Sequence, residues 1–207
     1  MLQLKTVEPN TFSILKQLMK IPELEGFCLV GGTALSLMYG HRISEDLDLF
    51  STKKFDNITI SDVLVQNFGD SLNIRTSSHF GIFCYINDVK VDIVRYTHPL
   101  VRPTLAIEGV RMFSIEDIVA MKVQAVLGRG KKKDFWDIAE LLKHFMIDDF
   151  IKFHKEKFAT QNLYITVPQA ISYFADADES EEPISLKSQT WESVKAEIQK
   201  KISDFLK

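Results

Sequence analysis

Residues Phe27–Phe50 read FCLVGGTALSLMYGHRISEDLDLF, and the pattern changes repeatedly along them. Phe27–Val30 is a compact apolar run, the form a short buried strand takes. Gly31-Gly32 ends it, and Thr33 opens a helical stretch, TALSLMY, that Gly40 closes. Asp46–Phe50 then alternates, with Leu47 and Leu49 on one side and Asp46, Asp48 and Phe50 on the other, which is the period of a strand. Strand, tight turn, helix and strand are expected in succession.

Outward from this stretch, Phe12, Ile14, Leu15, Leu18 and Met19 recur at helical spacing over Thr11–Lys20, and Pro22 stops the pattern. Downstream, Ile58–Phe68 reads as helix, and alternating runs at Leu72–Ser77, Gly81–Ile86 and Val89–Tyr96 read as strands, the last two joined at Asn87-Asp88. A linker with Pro99 and Pro103 leads to a short strand at Val110–Phe113. Helices are expected near Ser114–Leu127, Lys133–Phe145, Asp148–Phe158, Val167–Phe174 and Gln189–Phe205. The acidic segment Ala175–Pro183, ADADESEEP, is expected to be a solvated loop. The fold class is α+β, with residues 1–105 forming a sheet-containing domain and residues 106–207 a helical C-terminal domain.

The composition, 45% hydrophobic over 207 residues, is that of a globular protein and excludes disorder, collagen and coiled coil. The chain has no apolar run long enough to span a membrane, and its N-terminus, MLQLKTVEPN, lacks the pattern of a signal peptide, so a cytoplasmic protein without a membrane partner is expected. A net charge of -3 gives no global attraction to nucleic acid, so any such binding must use a local patch. Cys28 and Cys84 sit in strand-like contexts as buried free thiols, not as a disulfide or zinc framework.

Asp46 and Asp48, two apart on a strand, present their carboxylates from one face. Two convergent carboxylates suit Mg²⁺ held together with substrate phosphates; the plainer alternative is a pair of strand-edge aspartates without a ligand. In VKVDIVRY, Val89, Val91 and Ile93 share one face and Lys90, Asp92 and Val94 the other. Asp92 can therefore complete a metal site, act as general base for a hydroxyl, or simply face water. Gly31-Gly32, between strand and helix, lets backbone N–H groups approach a phosphate, or is merely a tight turn. A P-loop is excluded, and so is G-x-G-x-x-G, because Gly128-Arg129-Gly130 lacks the third glycine.

Lys122 falls on the apolar stripe of Ile115, Ile118, Val119, Ala125 and Val126, where an ammonium needs a carboxylate or phosphate partner unless it snorkels to water. Asp134 and Asp137, three apart on the next helix, can supply that partner, although Asp134 also suits a helix first turn by itself. Arg129, Lys131, Lys132 and Lys133 form the one concentrated basic run, either a seat for phosphates or a solvated loop. His79, His98, His144 and His154 show no ligand spacing, while His41 with Arg42 stands just upstream of the paired aspartates.

Taken together, Gly31-Gly32, Ser44, Asp46-Leu47-Asp48-Leu49-Phe50 and the distant Asp92 resemble the DNA polymerase β-like nucleotidyltransferase superfamily. LVGGTALSLMYGHRISEDLDLF is more closely similar to the AbiEii/AbiGii toxins of type IV toxin–antitoxin systems. Lys122 and RGKKKDFWDIAEL, Arg129–Leu141, are similar to that family's lysine helix and its K/R-x-x-D-x-x-D-like helix, so the likeness spans about residues 27–142.

The resemblance implies a nucleotidyltransferase-like mixed β-sheet flanked by helices, and a metal-dependent nucleotidyltransferase using Mg²⁺ (or Mn²⁺) with an NTP as substrate. Asp46, Asp48 and Asp92 would be metal ligands and, with Lys122, catalytic. Gly31, Gly32, Thr33, Ser44, Lys122, Asp134 and Asp137 would serve the nucleotide, and the basic run a cellular acceptor such as tRNA. It also implies a cognate antitoxin. Two rivals are a small-molecule, antibiotic-type nucleotidyltransferase and a catalytically silent nucleotide-binding or interaction module.

Overall fold

The spacing of Phe12, Ile14, Leu15, Leu18 and Met19 is realised as a helix, α1 (Pro9–Leu18), which buries Ile14, Leu15 and Leu18 together with Thr11, leaves Phe12 half-buried, ends at the C-cap Met19 and starts on a proline, where a missing N–H costs nothing. In the computed structural model, which describes all 207 residues, the decisive stretch folds as β1 (Cys28–Leu29), α2 (Gly31–Tyr39) and β2 (Leu47–Ser51). Then come α3 (Asn57–Phe68), capped by the Asp56 carboxylate on the Thr59 amide, and β3 (Leu72–Ser78), β4 (Gly81–Ile86) and β5 (Val89–Arg95). Asn87 and Asp88 take the left-handed φ values, 45° and 64°, that a two-residue hairpin turn requires. Two short strands, β6 (Leu105–Ile107) and β7 (Val110–Met112), precede α4 (Ile115–Gly128), which Ser114 caps through the Asp117 amide. The remaining helices are α5 (Lys132–Leu141), α6 (Ile147–Lys157), α7 (Val167–Ile171) and α8 (Trp191–Phe205).

All seven strands form one mixed sheet in the order β3-β4-β5-β2-β1-β7-β6. The β2–β5 and β1–β7 pairs are parallel and the others antiparallel. Leu47, Leu49, Val91, Ile93, Ile82 and Cys84 alternate into the core. Leu47 pairs with Val91 and Leu49 with Ile93, so the residues between them, Asp48 and Asp92, are directly opposite on the other face. One cluster of 48 buried residues runs from Leu2 to Ile202 and joins the sheet to the C-terminal helices. Cys28 and Cys84 are buried free thiols, as expected.

Several expectations are corrected. Asp46 lies one residue before β2 and outside the strand. The sheet continues past residue 105, because β6 pairs antiparallel with β7 and β7 runs beside β1. The proline linker is tied down: the Asp117 carboxylate accepts the Val101 and Arg102 amides and also the fully buried Lys157 of α6, at 2.6 Å. α7 stops at Ile171, short of Phe174. The acidic segment is not purely solvated, since Ala177 is buried, Trp191 Nε1 donates to Asp178 at 2.6 Å, and the Lys132 amide donates to Ser180 at 2.9 Å. No helix is long and apolar enough to cross a membrane.

Candidate active site

A pocket of about 430 Å³ opens where α2, β2, β5 and α4 meet. Its floor is set by register: Asp48 of β2 faces Asp92 of β5 across the parallel pair, and Asp46 lies just before β2. Gly31 begins α2 at a φ of 71°, and a Cβ there would stand 2.9 Å from Asp48 Oδ2. Glycine is needed for both the turn and the close approach. A Cβ on Gly32 would fall 2.0 Å from Arg42 Nη2, so the second glycine makes room for a guanidinium. The residue before α2, Val30, makes no side-chain cap, which leaves the first amides of the helix free to meet an anion.

Thr33 ties this helix start to the approach of the aspartates. Its hydroxyl donates to the Asp46 carbonyl, while Ser44 Oγ stands 2.8 Å from Thr33 Oγ1 and donates to it. Both hydroxyls are thus spent within the protein in this state, at the rim of the pocket where Ser44 also lines the wall. The expected site residues Gly31, Gly32, Thr33, Ser44, Asp46, Asp48, Asp92 and Lys122 all line this one pocket.

Behind the glycine turn lies a buried ionic network. Asp137, fully buried, receives Arg42 bidentately, Nε to Oδ1 at 2.7 Å and Nη2 to Oδ2 at 2.9 Å. His41 Nε2 also lies 2.7 Å from Oδ1. Lys122 Nζ sits 2.6 Å from Asp137 and 3.0 Å from Asp134, with its side chain 7% exposed. Of the fates open to Lys122, snorkelling is excluded and the carboxylate partner is present. Burial works to raise the Asp137 pKa, but Arg42 and Lys122 beside it hold the carboxyl well below the usual range. Burial likewise opposes the charge of Lys122, which Asp137 and Asp134 keep protonated above its ordinary value. Asp134 and Asp137 therefore support the pocket wall from behind instead of lining it.

The basic run divides. Arg129, 3.4 Å from Asp134, and Lys133, 3.3 Å from Asp46, line the pocket. Lys132 turns towards Glu182 at 3.7 Å and lies over the Trp191 ring, and Lys131 is exposed at the start of α5. Two charged lining residues escaped sequence reasoning as site candidates. Arg42 carries no motif of its own, and its signal was the second glycine that clears its path. Lys90 was legible only as a neighbour of Asp92 on the same strand face, and its Nζ contacts Asp92 Oδ2 at 2.6 Å.

No three His, Cys, Asp or Glu side chains are already gathered as an ion cage. The donor set nonetheless fits a divalent cation. Asp92 Oδ1 is buried with no hydrogen-bond partner, and Asp48 stands beside it. Burial and the Asp92 charge together raise the Asp48 pKa, the mark of carboxylates converging without enough positive charge between them. Hard oxygen donors of this kind are what Mg²⁺ or Mn²⁺ takes.

The chain is similar to known proteins over most of its length. A protein of Aquifex aeolicus, aq_aa25, itself uncharacterized, is 32% identical over 190 residues, covering 87% of this chain and 88% of that protein. Among solved structures, JHP933 from Helicobacter pylori shares the fold at 22% identity with a TM-score of 0.59, covering 95% of this chain and 92% of that one. MenT4, a nucleotidyltransferase toxin from Mycobacterium tuberculosis H37Rv, does so at 11% identity with a TM-score of 0.60, covering 95% and 85%. The family model for the nucleotidyl transferase AbiEii toxin of type IV toxin–antitoxin systems matches residues 13–206, and the chain belongs to that family.

Proposed function

We propose that this toxin-family nucleotidyltransferase is metal-dependent and transfers a nucleotide from an NTP to a nucleic-acid acceptor such as tRNA. The observation that carries the reading is the register of β2 against β5, which sets Asp48 and Asp92 side by side with Asp46 adjacent, under the free N-terminal amides of α2. In the reaction, an acceptor hydroxyl oxygen bonds to the α-phosphorus, the bond from that phosphorus to the bridging oxygen breaks, and pyrophosphate leaves. Mg²⁺ or Mn²⁺ held by Asp46, Asp48 and Asp92 would neutralise phosphate charge and favour the hydroxyl as nucleophile.

The protein's own groups do the rest. Gly31 and Gly32 bring backbone N–H groups to the triphosphate, and Thr33 and Ser44 keep that turn in register with Asp46. Lys122 and Arg129 add positive charge at the same wall, with Asp134 and Asp137 fixing their positions. Asp92 Oδ1, lacking a partner, is free to serve as ligand or to accept the hydroxyl proton. The setting is the cytoplasm, where NTPs and tRNA are found, and the partner that restrains the enzyme is a cognate antitoxin.

The test is transfer of radiolabel from each α-labelled NTP, with Mg²⁺ or Mn²⁺, onto total RNA and onto small-molecule acceptors. Wild type should label RNA, and Asp46→Ala or Asp48→Ala should abolish labelling while leaving the melting temperature within a few degrees, since neither carboxylate packs in the core. Labelling of small molecules alone, or undiminished labelling by both variants, overturns the reading.

A further inference from the structure

Lys90 is a charged residue of the pocket to which the nucleotidyltransferase reading gives no task. It precedes Asp92 by two residues on β5, so both side chains leave the same face of the strand. The long side chain folds along that face and brings Nζ to 2.6 Å from Asp92 Oδ2. Its effect on the carboxylate trio is uneven. Asp46 has Lys133 at 3.3 Å and Asp92 has Lys90, whereas Asp48 between them forms no ion pair. The second Asp92 oxygen, Oδ1, is buried and unpartnered. Half of the Asp92 carboxylate is thus engaged by an internal cation and half is not.

We propose that Lys90 is a built-in counter-ion of Asp92 that a divalent cation has to displace, and so the residue that sets how weakly the site takes up metal without nucleotide. The inference rests on the metal-dependent reading above. An ammonium in contact with Oδ2 repels a second cation approaching the same carboxylate, and only molecules with the pair open can take the ion at full strength. Apparent affinity then falls in proportion to the open fraction, about tenfold for a pair closed nine-tenths of the time. Lys90 suits displacement: its side chain is 41% exposed, against 14% for Asp92, and can swing to water at little cost. An incoming triphosphate offers the released ammonium new acceptors in the same pocket. Metal and nucleotide would then load together, and the protein would hold little metal alone.

The experiment measures Mn²⁺ alone, without nucleotide, by isothermal titration calorimetry and by the thermal shift it causes. It compares wild type, Lys90→Met, Lys90→Gln, Lys90→Arg and Asp48→Asn. Lys90→Met and Lys90→Gln should each bind Mn²⁺ about tenfold more tightly than wild type and gain more in melting temperature from it. Lys90→Arg keeps the charge and should resemble wild type, and Asp48→Asn should bind weakly. Equal or weaker binding by the two neutral variants, with Asp48→Asn still impaired, overturns the role of Lys90 and leaves the metal reading intact. Absence of Mn²⁺ binding in every variant overturns the role of Lys90, and if it persists with NTP added it overturns the metal reading as well.

Discussion

Lys122 illustrates how one side chain is asked for two things. Inside the protein it is a buried ammonium held by Asp137 at 2.6 Å and Asp134 at 3.0 Å, and it also lines the pocket over the aspartates. Breaking a buried pair by removing one partner typically costs about 3–5 kcal/mol, because the other charge is left uncompensated. Arg42 stays on Asp137 whatever happens at Lys122, so Lys122→Met leaves the buried Asp134 with only the exposed Arg129, at 3.4 Å, and the Lys131 amide as partners. That variant should unfold at markedly lower urea concentration than wild type. Adding Asp134→Asn removes the weakly compensated buried charge and should recover much of the loss. The double variant then separates the roles: it should bind NTP far more weakly than wild type, and wild-type affinity in it would make Lys122 a purely structural cation. The sequence made this residue legible, since an ammonium on an apolar stripe and two aspartates three apart on the next helix announced each other. Arg42 was not legible in the same way, because its guanidinium reaches Asp137 only once the chain has folded across 95 residues of separation.

At the scale of elements, strands with one buried face were readable because burial alternates along them, as in β2 and β5. β6 was not, since three residues between Pro103 and the Glu108-Gly109 turn are too few to show a period. The acidic segment misled for a different reason: composition reports average exposure, and cannot see Trp191 reaching Asp178 or Ser180 receiving an amide from α5. The contact between α4 and α6 makes a prediction about acid. His154 of α6 is buried with Nε2 3.1 Å from Gln124 Oε1 of α4, and burial pushes its pKa down from 6.5 to about 4. The folded protein therefore keeps His154 neutral where the unfolded chain has already taken a proton. Its contribution is complete above pH 6.5 and is lost as the pH falls towards 4, with a limiting slope of about 1.4 kcal/mol per pH unit. Urea melts at pH 7 and pH 5 should show a smaller loss for His154→Gln than for wild type. An equal loss would remove His154 as the acid-sensitive contact.

Taken as a whole, the molecule is slightly acidic at -3, yet it concentrates positive side chains beside its carboxylates. The basic run and the acidic segment that folds against it meet at the pocket rim, where Glu181, Glu182, Lys133 and Asp46 line one adjoining hollow. On the proposed reading, an RNA end would be held at this mixed rim by the basic groups that reach solvent. Arg129 is 57% exposed, Lys131 is also exposed and Lys133 is 39% exposed, whereas Lys132 is 12% exposed and engaged with Glu182. Each phosphate that a lysine or arginine neutralises on a single strand adds about 0.7 to the slope of log affinity against log salt. Replacing Arg129, Lys131 and Lys133 with Ser should therefore lower the slope for a single-stranded RNA by up to about 2, while Lys132→Ser alone should leave it near wild type. NTP binding in the triple variant should persist at reduced strength, because the glycine turn, the aspartates and Lys122 remain. RNA titrations between low and moderate salt decide the matter: identical slopes in wild type and the triple variant would mean that the run does not hold the acceptor, and would turn the search towards small acceptors that need no phosphate track.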